Sequence, residues 1–276
     1  MKIYILNYSK NIERREKLEN DPALSGKDVT WVNEWDREDL FVKWVHWYSK
    51  TDQIIHHISL ILKHMWCLHD MIKNDISECI ILEDDVVFEN NWLENFNNIP
   101  KQNLQFLKLG SIFQDLKYDP QTIYHIGNPG GTEALWVTQD FAKITLDNLD
   151  FQQAIDIFYG GVLNYIKHPL MCIPVCSQTS VYESTSSLGG NNCKIHWIEY
   201  VKNFYSYKKF NLNKLLLEFK NFKIKKQNFE DDYNNRFNCK IELNDFNYLK
   251  LLSLLKYKYE ISYYIWCNWT RWFIYD

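Results

Sequence analysis

A run of strand-forming residues that ends in three consecutive acids, Cys79-Ile80-Ile81-Leu82-Glu83-Asp84-Asp85, and then resumes as Val86-Val87-Phe88 constrains this chain more than any other stretch. Exposed turns are seldom bracketed by apolar residues on both sides, so the carboxylates are expected at the tip of a buried strand. Adjacent acids repel one another and lose solvation when buried, which calls for a compensating cation or proton. Hard divalent cations such as Mg²⁺ and Mn²⁺ take oxygen ligands, often one or two carboxylates, and leave the rest of their shell to water and phosphates. The stretch therefore predicts a metal and diphosphate site at the carboxyl end of a central strand. The plain alternative is a surface turn with solvated acids.

A chain of 276 residues suits one large domain, or a medium domain with a smaller appendage. Hydrophobic content of 46% and aromatic content of 16%, against 24% charged, exclude linker and low-complexity classes. A formal charge of −4 supplies no basic field for phosphate backbones, so no nucleic-acid partner is expected. Met1 to Asn7 alternates over too short a span for a signal-peptide core and runs into Lys10, Glu13, Arg14 and Arg15. No stretch approaches the length of a spanning helix. Seven cysteines, odd in number and not closely paired, fit a reducing compartment, and a cytoplasmic location is the expectation.

The opening reads as strand, loop and helix, which places loop backbone and Arg14 and Arg15 beside the carboxyl ends of parallel strands, where open α/β sheets bind nucleotides. Trp31 to Trp47 is crowded with rings and charges and shows no clean period; a short strand followed by an irregular segment is expected there. Thr51 to Lys73 repeats apolar residues at Ile54, Ile58, Leu62, Met65, Leu68 and Ile72, close to the period of a helix packed on a sheet. His57 and His64 on it stand about 10 Å apart along the axis, too far to share zinc, so packing or hydrogen bonding is the expected role of its histidines. Helix at Asn90 to Phe96 and strand at Gln105 to Gly110 follow. This alternation predicts an α/β fold with a mostly parallel central sheet.

Gly127-Asn128-Pro129-Gly130-Gly131-Thr132 is the strongest turn signal, leading into a strand at Ala134 to Val137 and a helix at Gln139 to Leu146. It serves either as a hairpin loop or as a close backbone approach to a ligand. No phosphate-loop pattern with its lysine is present, which excludes that nucleotidase class. Asp156 lies within an apolar run, where an acid needs a partner or a raised pKa. From Trp197 the composition shifts to lysines interleaved with Phe, Leu, Tyr and Trp, which reads as a helical appendage over 197–276. Its amphipathic faces suit first packing on the core or on a second subunit, since long Lys stems cover apolar surface, and second an anionic membrane surface.

These elements together resemble the glycosyltransferase family of bacterial lipopolysaccharide galactosyltransferases and animal procollagen galactosyltransferases. Ile5-Leu6-Asn7 with Arg14-Arg15 looks like the family's opening, and Leu82-Glu83-Asp84-Asp85-Val86 like its Leu-Glu-Asp-Asp-Val signature. Gly131-Thr132-Glu133-Ala134 resembles the Gly-Thr-x-Ala turn, Ile155-Asp156 the later Val-Asp, and Gln178 and Ser184 a closing Gln and Ser element. The family's Ser-His on the preceding helix appears here as Ser59-Leu60. The match spans roughly residues 1 to 190.

The resemblance implies a GT-A fold over 1–196 and a UDP-sugar donor with Mn²⁺ or Mg²⁺ held by Glu83 and Asp85. It also implies donor contacts from Asn7, Arg14, Asp84, Gly131 and Thr132, and an inverting transfer of galactose or glucose to a hydroxyl of a glycan, lipid-linked sugar or protein. Asp156 is the first candidate for the base and Glu133 the second. Two alternatives stay open: a transferase-like scaffold that binds glycan or membrane without catalysis, and a metal-dependent phosphohydrolase or nuclease.

Overall fold

The computed structural model describes residues 1–110, 124–125, 131–163, 171–178 and 210–224. Strand β1 (Lys2–Leu6) leads into helix α1 (Ile12–Glu19), a short 3₁₀ turn (Pro22–Leu24) and strand β2 (Asp28–Val32). Helices α2 (Leu40–Ser49) and α3 (Ile55–Lys73) precede strands β3 (Glu78–Glu83) and β4 (Val86–Phe88). Helix α4 (Trp92–Asn97), β5 (Phe106–Gly110), β6 (Tyr124–His125), β7 (Ala134–Thr138), α5 (Gln139–Asp147) and α6 (Ile155–Val162) follow, then β8 (Met171–Gln178) and α7 (Leu212–Ile224).

The strands form one eight-stranded sheet in the order β2-β1-β3-β7-β5-β8-β4, with β6 against β8. β1, β2, β3, β5 and β8 run one way, and β4, β6 and β7 the other, so the sheet is mostly parallel, as the alternation of elements predicts. The reversed β7 sits between β3 and β5 and brings its amino end to the carboxyl end of β3. This one reversal decides which loops meet at the acidic tip.

Alternation within the central strands divides the core between two faces. Tyr4, Leu6, Cys79 and Ile81 join the buried residues of α2, α3, α5 and α6, whereas Ile3, Ile5, Ile80 and Leu82 pack with Leu18 of α1 and with Trp92 and Phe96 of α4. Each fully buried aliphatic side chain contributes roughly 1.5–3 kcal/mol. Burial on both faces explains why β3 reads as an unbroken apolar run.

The structure differs from the sequence expectation in α2. Phe41 to Trp47 is helical, with Phe41, Val42, Trp44 and Val45 buried, because α2 is covered on more than one side and its period is blurred. β3 ends at the acids as expected, and Val86 to Phe88 form a separate strand paired with the far end of β8. From the chain's last eighty residues, the described part is α7 and the residues leading into it. Phe219 packs on Phe41 and Trp44, with ring centroids 4.9 and 5.4 Å apart, and Phe210, Leu212 and Leu215 join the same core cluster. The rest of 197–276 lies outside the described residues, as do Gly127 to Gly130 and Ser184. Among the described residues no helix is long and apolar enough to cross a membrane.

His64 of α3 is fully buried, its ring edge-on to Tyr159 at 5.4 Å, and neither ring nitrogen has a hydrogen-bond partner among the described residues. Burial pushes its pKa down to about 3. The folded protein therefore keeps the ring neutral where the unfolded chain protonates it near pH 6.5. Stability present above that pH is lost as pH falls toward the folded value. Linkage gives a loss of roughly 2 kcal/mol from this group by pH 5. Urea unfolding at pH 7 and pH 5 checks it: the His64→Leu variant should lack that part of the acid dependence.

Candidate active site

Because β1, β2 and β3 are parallel, Leu6, Val32 and Glu83 end at the same edge, and the loops that leave them border one cleft. Asn7, Arg14, Glu83, Asp84 and Asp85 all line it. The Asn7 side-chain amide donates to Asp84 Oδ2 at 2.9 Å, and Arg14 Nη1 donates to Asp84 Oδ1 at 2.8 Å. Arg14 also stands 3.5 Å from Asp85 Oδ2. Asp84 is thus gripped from β1 and α1 together.

Glu83 is held from the other side. Its backbone N–H donates to the Glu133 carbonyl at 2.9 Å, extending the β3–β7 pairing by a step, and the Thr132 hydroxyl donates to its carboxylate. Burial, and then the neighbouring Asp85 carboxylate, pushes the Glu83 pKa up to about 8, with the Thr132 hydroxyl opposing. One guanidinium stands among the three acids and pairs with Asp84 and Asp85. The donor set is oxygen throughout. Such a set fits a hard dication, which would draw the rest of its shell from phosphate and water. Among the described residues no three His, Cys, Asp or Glu side chains form a closed protein cage.

Gly131 takes a positive φ of 70°, the conformation glycine adopts without strain, and its N–H donates to Asp156 Oδ2 at 3.3 Å. Asp156, in the first turn of α6, is thereby linked through Gly131 and Thr132 to Glu83. It stands beside the cleft rather than among its lining residues. Glu133 is placed differently from its expected role. It is fully buried, 3.4 Å from the equally buried Lys108 ammonium, which donates to the Gly131 carbonyl at 2.9 Å. Burial raises the Glu133 pKa and Lys108 opposes the rise. An enclosed carboxylate beside an ammonium offers no surface to an acceptor hydroxyl.

Tyr8, Arg37, His56 and Lys63 are among the cleft residues that escaped the sequence analysis as site residues. Arg37 lies 4.2 Å over the Tyr8 ring and donates to its hydroxyl at 2.9 Å, and Tyr8 in turn donates to Glu38 at 2.6 Å. Arg37 also meets His56 Nε2, and because guanidinium only donates, that nitrogen accepts and the ring is neutral. Burial and then Arg37 lower the His56 pKa accordingly. The available signal was position: Tyr8 directly follows Asn7, and Arg37 lies in the loop after β2. Ser59 and Leu60, where the resembled family carries Ser-His, also face this cleft, and the Ser59 hydroxyl donates to the Trp35 carbonyl at 2.7 Å.

Residues 1–126, which build most of this cleft, match glycosyltransferase family 25 (LPS biosynthesis protein). The match covers β1 through β6, hence both the acidic tip and the Asn7 and Arg14 side of the cleft, and it supports a glycosyl-transfer role. No curated protein matches. Among solved structures, a glycosyltransferase involved in the glycosylation of the major capsid of PBCV-1 is similar at 13% identity and a TM-score of 0.42, covering 68% of this chain and 94% of that one. A197 from STIV is similar at 9% identity and a TM-score of 0.36, covering 63% and 82%.

Lys108 supports the Gly131–Glu133 segment from beneath, so removing it should leave Glu133 buried without its cation. Lys108→Met is expected to lose about 3–5 kcal/mol of stability. Adding Glu133→Gln should recover much of that loss, and a denaturant-unfolding comparison of the two variants measures it.

Proposed function

We propose that the chain is a metal-dependent, inverting glycosyltransferase of the GT-A type. It would transfer a hexose, galactose or glucose, from a UDP-sugar to a hydroxyl of a glycan, lipid-linked sugar or protein. The observation that carries this reading is the crowding of Glu83, Asp84 and Asp85 at the end of β3 with Arg14 as their cleft-side cation, inside the region that matches family 25.

Glu83 and Asp85 would hold Mn²⁺ or Mg²⁺, which when bound neutralises negative charge on the departing diphosphate. Arg14 and Asn7 keep Asp84 fixed, so its carboxylate can orient ribose or donor sugar without turning toward its neighbours. Thr132 holds Glu83 and ties it to the segment that carries Gly131. Asp156, set by the Gly131 N–H, takes the acceptor hydroxyl proton while that oxygen bonds to the anomeric carbon. The bond from that carbon to the diphosphate breaks, its electron pair leaving on the phosphate oxygen. Attack from the face opposite the leaving group turns an α-linked donor into a β-linkage.

Incubation with a panel of UDP-sugars and Mn²⁺, with free UDP as the readout, tests the reading; release from none of them, with or without acceptors, refutes it. Asp85→Asn should weaken Mn²⁺-dependent UDP binding by more than about 100-fold while the fold persists, and calorimetry that finds unchanged affinity would remove the metal assignment. Asp156→Asn should bind donor normally and transfer roughly 10²–10⁴ times more slowly. Normal turnover in that variant takes the base role from Asp156.

A further inference from the structure

Lys63 is a charged residue on the apolar face of α3, beside Leu62 and one turn from Ser59, and only 4% of it is exposed. Its ammonium stands 2.7 Å from Asp36 Oδ1 and donates to the carbonyls of Asn7 and Glu34 at 2.9 Å and of Val32 at 3.2 Å. These acceptors belong to the end of β1, the end of β2 and the loop that follows β2. Asp36, itself 6% exposed, also accepts the Ser9 N–H at 3.0 Å through Oδ2. The pair therefore joins two loops that share no regular hydrogen-bonded ladder beyond Asn7. A hydrophobic pair of similar volume would often stabilise a core equally well, so stability alone does not account for it.

What the pair provides is geometry. Asn7, whose carbonyl Lys63 grips, is the residue whose side chain holds Asp84, and Arg37, which covers Tyr8, directly follows Asp36. We propose that Lys63 and Asp36 are a buried positioning pair that sets the β1 and β2 walls of the cleft for the nucleotide donor. The donor half of this inference rests on the function proposed above; the positioning half stands without it.

The test uses the full chain and the charge-balanced double variant Lys63→Met with Asp36→Asn, which leaves neither charge buried alone. Hydrogen exchange should show the amides of Ser9 and of residues 33–37 opening at least about tenfold faster, with α3 and β3 protected as in the wild type. UDP with Mn²⁺ should bind at least about tenfold more weakly, raising the donor KM more than it lowers kcat. Asp36→Asn alone keeps the three carbonyl contacts and should loosen Ser9 by a smaller factor, which provides a reading if the double variant does not fold. Wild-type exchange in these loops, in whichever variant folds, overturns the inference. Faster exchange in a protein whose wild type binds no UDP upholds the positioning role and refutes the donor reading instead.

Discussion

Negative charge concentrated at the end of β3 is the constraint around which the neighbouring elements are arranged. The acids are held from two sides: Glu83 by Thr132 ahead of β7, Asp84 by Asn7 and Arg14, and Asp85 by its share of the same Arg14. Repulsion within the triplet would otherwise splay the turn between β3 and β4. With these partners the turn presents all three acids to the cleft, where Arg14 is their nearest cation. Burial first, and the Asp85 carboxylate second, keep the Glu83 pKa raised even so.

Sheet direction explains why these partners meet. Parallel β1, β2 and β3 release their loops at one edge, and antiparallel β7 enters at that same edge, so residues far apart in sequence converge without a long connection. Had β7 run parallel to β3, Gly131 to Glu133 would lie at the opposite end of the sheet. The Thr132 contact to Glu83 and the Gly131 contact to Asp156 both depend on that reversal.

Much of this was legible in the sequence, for reasons specific to each element. β3 announces itself because burial on both faces requires a continuous apolar run, and acids at the end of such a run are costly to bury unless a cation or a proton compensates them. α3 was readable from its period, although Ile54, assigned to the buried stripe, is exposed. α2 was not, because a helix covered by α3 on one side and by Phe219 of α7 on another shows no single apolar stripe. The direction of β7 was equally hidden: strand propensity carries no sign, and only pairing partners fix it. Glu133 looked like a base because a carboxylate beside a Gly-Thr turn is invisible as an ion pair until Lys108, on a strand twenty-five residues earlier, is seen beneath it.

The two buried lysines act alike on the two flanks of the acidic tip. Lys63 donates to carbonyls of the β1 and β2 loops, and Lys108 to that of Gly131, each with a buried acid close by. Loops that cross the end of a sheet carry carbonyls with no ladder partner, and leaving such groups buried and unpaired is costly. A lysine is suited to satisfy them because its long stem packs as an apolar side chain while one head serves several acceptors at once. The backbone of the loops around the cleft is thus held by nearly buried cations on both flanks. It follows that Asn7, which faces the cleft, can hold Asp84 in place only as firmly as Lys63 holds the Asn7 carbonyl.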